Sequence, residues 1–76
     1  MKELVEFLAK GLVDNPDEVR VERVERDGAV VLELHVAPDD VGQVIGRQGR
    51  TARALRTVVR ASGARSNERA LLEIVG

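Results

Sequence analysis

"VIGRQGRTARALRTVV", residues 44–59, decides how the rest of the chain is read. Two glycines three apart, Gly46 and Gly49, bracket Arg47 and Gln48, and a basic helical pattern follows at once. Such a spacing serves either a tight turn or the close approach of a phosphate to the main chain. A P-loop ending at "GRT" needs glycine where Val44 stands and lysine where Arg50 stands, and has neither. The dinucleotide fingerprint also needs glycine at 44 and must follow a strand directly, whereas these glycines sit between two helical patterns.

Upstream of the loop, "APDDVGQVIG" places Pro38, Asp39 and Asp40 where a helix start favours proline and acids. Val41, Val44 and Ile45 then share one face of a short helix, and Gly46 ends it in the left-handed conformation. A second helix resumes near Arg50. Ala52, Leu55, Val58 and Val59 form its apolar stripe, with Arg50, Arg53, Arg56 and Arg60 along the opposite side. "ASGARSNE" reads as a loop and "RALLEIVG" as a short final strand.

Further upstream the period changes. Leu4, Val5, Leu8, Leu12 and Val13 recur at helical spacing, and the helix is stopped by "DNPD" at residues 14–17, because a residue before proline is pushed out of the helical region. Val19 and Val21 alternate with charges, and Val30, Leu32, Leu34 and Val36 alternate with Val31, Glu33 and His35. Asp27-Gly28 between these runs suits a two-residue hairpin turn. Val24 interrupts the first alternation and predicts a bulge or edge irregularity. The order is helix, strand, strand, helix, helix, strand. It predicts an α+β fold with a three-stranded mixed sheet, its second strand central, a right-handed crossover to the third, and the helices on one face.

At 76 residues the chain reads as one domain, 1–76, near the size where a single core gives only about 3–5 kcal/mol. With 43% hydrophobic and 33% charged residues it is neither a disordered tail nor a membrane protein. It has no cysteine, hence no disulfide or thiolate chemistry, and the acids in "MKELVEFLAKGLVD" interrupt any secretory core. The cytoplasm is the expected location. The net charge of −1 hides an asymmetry: residues 1–40 hold 5 Lys/Arg against 11 Asp/Glu, while residues 41–76 hold 7 against 2. A basic module attached to an acidic one can form a local anion site, or the two halves can pack as complementary ion pairs.

An enzyme is not expected. His35 is the only histidine and lies on the polar register of a strand without a cysteine or serine to activate, which suits a surface or interface side chain. Glu22, Glu25, Asp27 and Glu33 alternate beside arginines, as cross-strand charge pairs do. No metal site and no cofactor are expected.

The Ile45-Gly46-Arg47-Gln48-Gly49 loop between two helices resembles the "IGxxG" loop of KH domains, and the element order resembles their type II variant. The "LVDNPDEV" start and "DDVGQVIGRQGRTARALRTVV" are similar to the small single-domain bacterial KH proteins of the KhpA (YlqC-like) family. The resemblance implies a cytoplasmic, non-catalytic RNA-binding protein, a homodimer or a heterodimer with the related KhpB, with roles in RNA chaperoning and cell shape. By position it implies that Gly46, Arg47, Gln48 and Gly49 clamp the backbone of a single-stranded RNA. Val41, Val44 and Ile45 would form an apolar floor with the neighbouring strand. Arg50 and Arg53 would meet phosphates, and Thr51 would add a hydroxyl. Val41, Val44 and Ile45 read equally as core, and Arg56, Arg60, Arg65 and Arg69 as solvated surface. With Phe7 as the one aromatic, no stacking platform exists and binding should be modest and salt-sensitive. The rival reading is a KH-fold dimerisation module whose partner supplies most RNA binding.

Overall fold

In the computed structural model, which describes residues 1–76, the chain reverses at Asp27-Gly28 with φ angles of 52° and 78°. Positive φ at both central positions belongs to the hairpin turn whose twist matches its strands. Strand β1 (Arg20–Arg26) accordingly pairs antiparallel with β2 (Ala29–His35), from Arg20 opposite His35 to Arg26 opposite Ala29. Strand β3 (Ala70–Val75) joins the far side of β2 in parallel, so the sheet order is β1-β2-β3 with β2 central. Helices α1 (Lys2–Lys10), α2 (Val41–Ile45) and α3 (Arg50–Arg65) complete the expected order.

One core forms between the sheet and the helices. Leu32 and Leu34 of β2 are fully enclosed, flanked by Val21 of β1 and by Ala70 and Leu72 of β3. Val5 and Ala9 of α1, Val44 of α2, and Leu55 and Val59 of α3 close over them. The outer sheet face is held by charge: Arg26 of β1 bridges to Glu33 of β2 at 3.3 Å and to Glu73 of β3 at 3.0 Å, spanning all three strands.

Four local expectations are corrected. First, β1 carries no bulge, because its pairing with β2 is unbroken. Val24 belongs to the other register, facing outward opposite Val31, which in turn neighbours Leu71. These three side chains form a small apolar strip that leaves Val31 buried on the outer face. Second, α1 ends at Lys10 rather than at "DNPD". Gly11 is a poor helix former, and Leu12 turns back with its amide on the Ala9 carbonyl at 3.0 Å. Third, "ASGARSNE" is mostly helix. α3 continues to Arg65 and stops at Asn67, whose φ of 57° closes a Schellman motif with Glu68 N–H on the Gly63 carbonyl at 2.7 Å. Gly63 is helical and buried because a Cβ there would fall 2.6 Å from Ala70 Cβ. Fourth, Gly46 has φ 77° and ψ 172°, an extended positive-φ state that is more restricted to glycine than the left-handed helical one.

Asp40 also does more than start a helix. Only 1% exposed, it accepts the amides of Asp14 (3.2 Å) and Asn15 (3.1 Å) and the Asn15 side-chain N–H (3.1 Å). Burial favours its neutral form, but the Asn15 side chain and the two amides outweigh that and hold its pKa below the ordinary value. The acid before α2 thereby ties down the loop between α1 and β1.

Candidate nucleic-acid interface

The Gly46 to Gly49 loop is a single tight turn between α2 and α3. Its Gly49 amide bonds the Gly46 carbonyl at 3.1 Å, and Gln48 and Gly49 are both left-handed, with φ of 57° and 73°. The glycines differ in purpose. A Cβ on Gly46 would fall on the Thr51 hydroxyl and within 2.7 Å of Thr51 Cβ, so this glycine is required by what lies behind it. A Cβ on Gly49 would meet nothing within 4 Å, so its backbone faces open space. The amides of Arg47 and Gln48 form no backbone hydrogen bond. They stand as donors before the N-terminus of α3, where the helix dipole favours an anion.

Arginines brace the loop and extend it. Arg50 Nη2 donates to Gln48 Oε1 at 3.2 Å, and Arg53 Nη2 to the Gln48 carbonyl at 3.3 Å. Each guanidinium carries five N–H donors, so both retain capacity for a phosphate. Arg47, Arg50, Arg53, Arg56 and Arg60 are all exposed, and no acid occurs between Asp40 and Glu68. Arg56 and Arg60, read from sequence as solvated surface, line an opening of about 240 Å³ between α3 and β3 with Leu71, Leu72 and Glu73.

That opening borders an unpaired strand edge. The Val30 amide bonds the Arg69 carbonyl at 2.8 Å and the Val36 amide the Val75 carbonyl at 3.1 Å, so odd-numbered residues of β3 face β2. The main-chain groups of Leu72 and Ile74 therefore point away from the sheet. The end of β3 reaches α2, where a Cβ on Gly76 would contact Val41.

The three apolar candidates separate. Val44 is 0% exposed and belongs to the core, so its side chain is not part of a surface floor. Its spacing to Leu55 and Val59 across the helix pair is a tertiary fact that periodicity alone does not separate from surface. Ile45 is 39% exposed and Val41 half-buried. Between them Gly42, not singled out from sequence, is exposed, and its missing Cβ leaves open space. A glycine within a helix costs about 0.5–1 kcal/mol relative to alanine, so this position is notable where no neighbour demands it. The half-buried Thr51 turns its hydroxyl toward Gly46.

Away from the loop, Glu22, Glu33 and His35 bring ligand atoms within 4.8 Å of one another on the outer sheet face. Both carboxylates are already paired, Glu22 with Arg20 at 2.8 Å and Glu33 with Arg26 at 3.3 Å. The His35 Nε2 is enclosed without a hydrogen-bond partner, 3.7 Å from Glu33.

The strand, helix, glycine-loop, helix, strand arrangement can be compared with known proteins. A family described as KhpA/KhpB, KH domain, matches residues 2–74. The chain belongs to the KhpA/KhpB KH-domain family. It is 52% identical over 75 residues to a Clostridium acetobutylicum protein named RNA-binding protein KhpA, covering 99% of this chain and 100% of that one. An Aquifex aeolicus KhpA is 52% identical over 75 residues, with 99% and 95% covered. A Streptomyces coelicolor KhpA is 58% identical over 65 residues, with 86% and 82% covered. No helix of this KH protein is long and apolar enough to cross a membrane.

Proposed function

We propose that this KH protein binds single-stranded RNA without catalysis, holding its sugar-phosphate backbone across Gly46 to Gly49. The observation that carries the reading is the loop itself: Gly49 opens the main chain to solvent, the Arg47 and Gln48 amides are free of backbone partners, and arginines flank both. Arg50 and Arg53 add charge from the first turn of α3. Val41, Gly42 and Ile45 offer a shallow apolar strip on which a base rests, and the β3 edge offers main-chain donors and acceptors for base edges. Thr51 serves this site from behind, by seating Gly46.

The names of the relatives support RNA as the ligand. An RNA-chaperone or regulatory role in the cytoplasm, with a link to cell shape, extends the same family reading. So does pairing with a second KH chain, either a copy or a KhpB-like protein. With one aromatic in the chain, affinity rests on phosphates and falls steeply with salt.

The test is the double substitution Arg47→Asp with Gln48→Asp. Fluorescence anisotropy with a labelled single-stranded RNA at low salt should show a loss of affinity of at least tenfold, roughly what losing one charge-assisted contact costs. Unchanged affinity in a variant with native circular dichroism would remove the loop from the site.

The exposed apolar surface on α1 favours the second reading, a module that pairs through its fold while the partner contributes RNA contacts. Monomeric protein that binds RNA as tightly as concentrated protein would exclude it.

A further inference from the structure

Three carboxylates stand in one row across the outer sheet face. Glu22 of β1 lies directly opposite Glu33 of β2, and Glu33 is the register neighbour of Glu73 of β3. Like charges set directly opposite one another destabilise a sheet. Two guanidiniums answer the three acids: Arg20 reaches Glu22 at 2.8 Å, and Arg26 reaches Glu33 at 3.3 Å and Glu73 at 3.0 Å. One negative charge is left over, so the row favours a further cation.

His35, the chain's only histidine, follows Glu33 by two residues on β2 and so shares its face. Its Nε2 is enclosed and has no hydrogen-bond partner. An enclosed polar atom without a partner calls for an explanation, and imidazole nitrogen is the commonest metal ligand. The Nε2 faces Glu33 Oε1 at 3.7 Å, too far for a hydrogen bond. It is close to the separation of about 3.3–3.5 Å between two ligand atoms on one tetrahedral zinc. Ligand atoms of Glu22, Glu33 and His35 all lie within 4.8 Å of one another. The Glu22 side chain is 44% exposed and free to make the small rotation that completes the set.

The arginines leave this set open. Arg26 holds Oε2 of Glu33 and leaves Oε1 toward His35, while Arg20 holds Oε1 of Glu22 and leaves its second oxygen available. Carboxylates that ligate a metal are themselves oriented by hydrogen bonds of this kind.

We propose that Glu22, Glu33 and His35 form a zinc site on the outer sheet face, one imidazole nitrogen and two carboxylate oxygens with water in the fourth position. Imidazole beside carboxylate suits zinc, whereas magnesium and calcium take sets made of oxygen alone. The ion neutralises the row of acids and ties β1 to β2 through side chains. Because only the folded hairpin brings the three ligands together, zinc stabilises the fold by mass action. The site is independent of both the RNA and the pairing parts of the proposed function.

Isothermal titration calorimetry of the chelator-treated full chain with zinc chloride tests this. The wild type should take up one zinc per chain with a dissociation constant on the order of micromolar. His35→Gln should abolish uptake, and Glu22→Gln and Glu33→Gln should each weaken it at least about tenfold. Zinc should raise the melting temperature of the wild type and leave that of His35→Gln unmoved, and magnesium should shift neither. In the wild type the imidazole signals of the single histidine, followed by nuclear magnetic resonance, should shift and saturate at one equivalent. That readout needs no variant, so a substitution that fails to fold leaves the test intact. A wild type that takes up no zinc, or imidazole signals that do not respond, overturns the site. Binding lost in His35→Gln but indifferent to both glutamate changes belongs to a lone histidine and overturns it equally.

Discussion

Thr51 occupies the space that a side chain on Gly46 would need. Gly46→Ala therefore combines an unfavourable backbone, about 1–3 kcal/mol, with a collision. Gly49→Ala meets open space and carries only the left-handed penalty of about 1–2 kcal/mol. We expect urea denaturation to rank Gly46→Ala as clearly the more damaging. Thr51→Ala should not rescue it, because Thr51 Cβ itself stands 2.7 Å from the added carbon.

Gly42 separates stability from binding. Alanine at this exposed helical position relieves backbone entropy and meets no neighbour, so Gly42→Ala should raise stability by about 0.4–1 kcal/mol. The same methyl group stands on the strip proposed to receive a base, so RNA affinity should fall several-fold. Thermal melts and anisotropy on one sample check both, and unchanged affinity would place RNA elsewhere.

Arg56 and Arg60 line the opening beside β3, two turns along α3 from the loop. If phosphates follow this stripe, Arg56→Gln with Arg60→Gln should lower the log-affinity against log-salt slope by about 1.4, from roughly 0.7 per phosphate contact on a single strand. The loss should be uniform across RNA sequences. An unaltered slope would return both residues to the solvated surface.

The Asp40 carboxylate, held below its ordinary pKa of 3.8 by the N–H groups of Asn15 and Asp14, binds its proton more weakly folded than unfolded. Its contribution to stability is thus present in full above the unfolded value and is lost as pH falls through the folded one. Wild type should lose stability below about pH 4, and Asp40→Asn should be less stable at neutral pH with a shallower acid slope. Denaturation midpoints measured from pH 7 to pH 2.5 test this, and parallel curves for the two proteins would contradict it.

What could be read directly from the sequence was whatever repeats at a local period. The alternation of Val30, Leu32 and Leu34, the Asp27-Gly28 turn and the glycine pair all act within a few residues, and all stand in the structure. Three features were illegible because they depend on residues far apart in the chain. In sequence Gly63 reads as a loop glycine, whereas in the fold it is a helical residue packed against Ala70 of β3. Val24 looked like an error in one register until Val31 and Leu71 supplied the other face. Asp40 resembled a helix-start acid, yet its partners lie on the loop before β1. For the site, periodicity grouped Val41, Val44 and Ile45, but only the position of α2 over the core shows that Val44 turns inward while Gly42 and Ile45 turn outward.

The loop's place within the sheet connection bears on how the protein assembles. β1 and β2 meet through a two-residue turn, a contact that closes early because little chain must be ordered. β3 reaches β2 only after the stretch from Val36 to Arg69, which contains α2, the glycine loop and α3. Long closures come late in folding. The turn at Gly46 to Gly49 is itself local, but the β3 edge beside it is placed only by that late pairing, so partly folded chains should hold RNA less well than the finished fold.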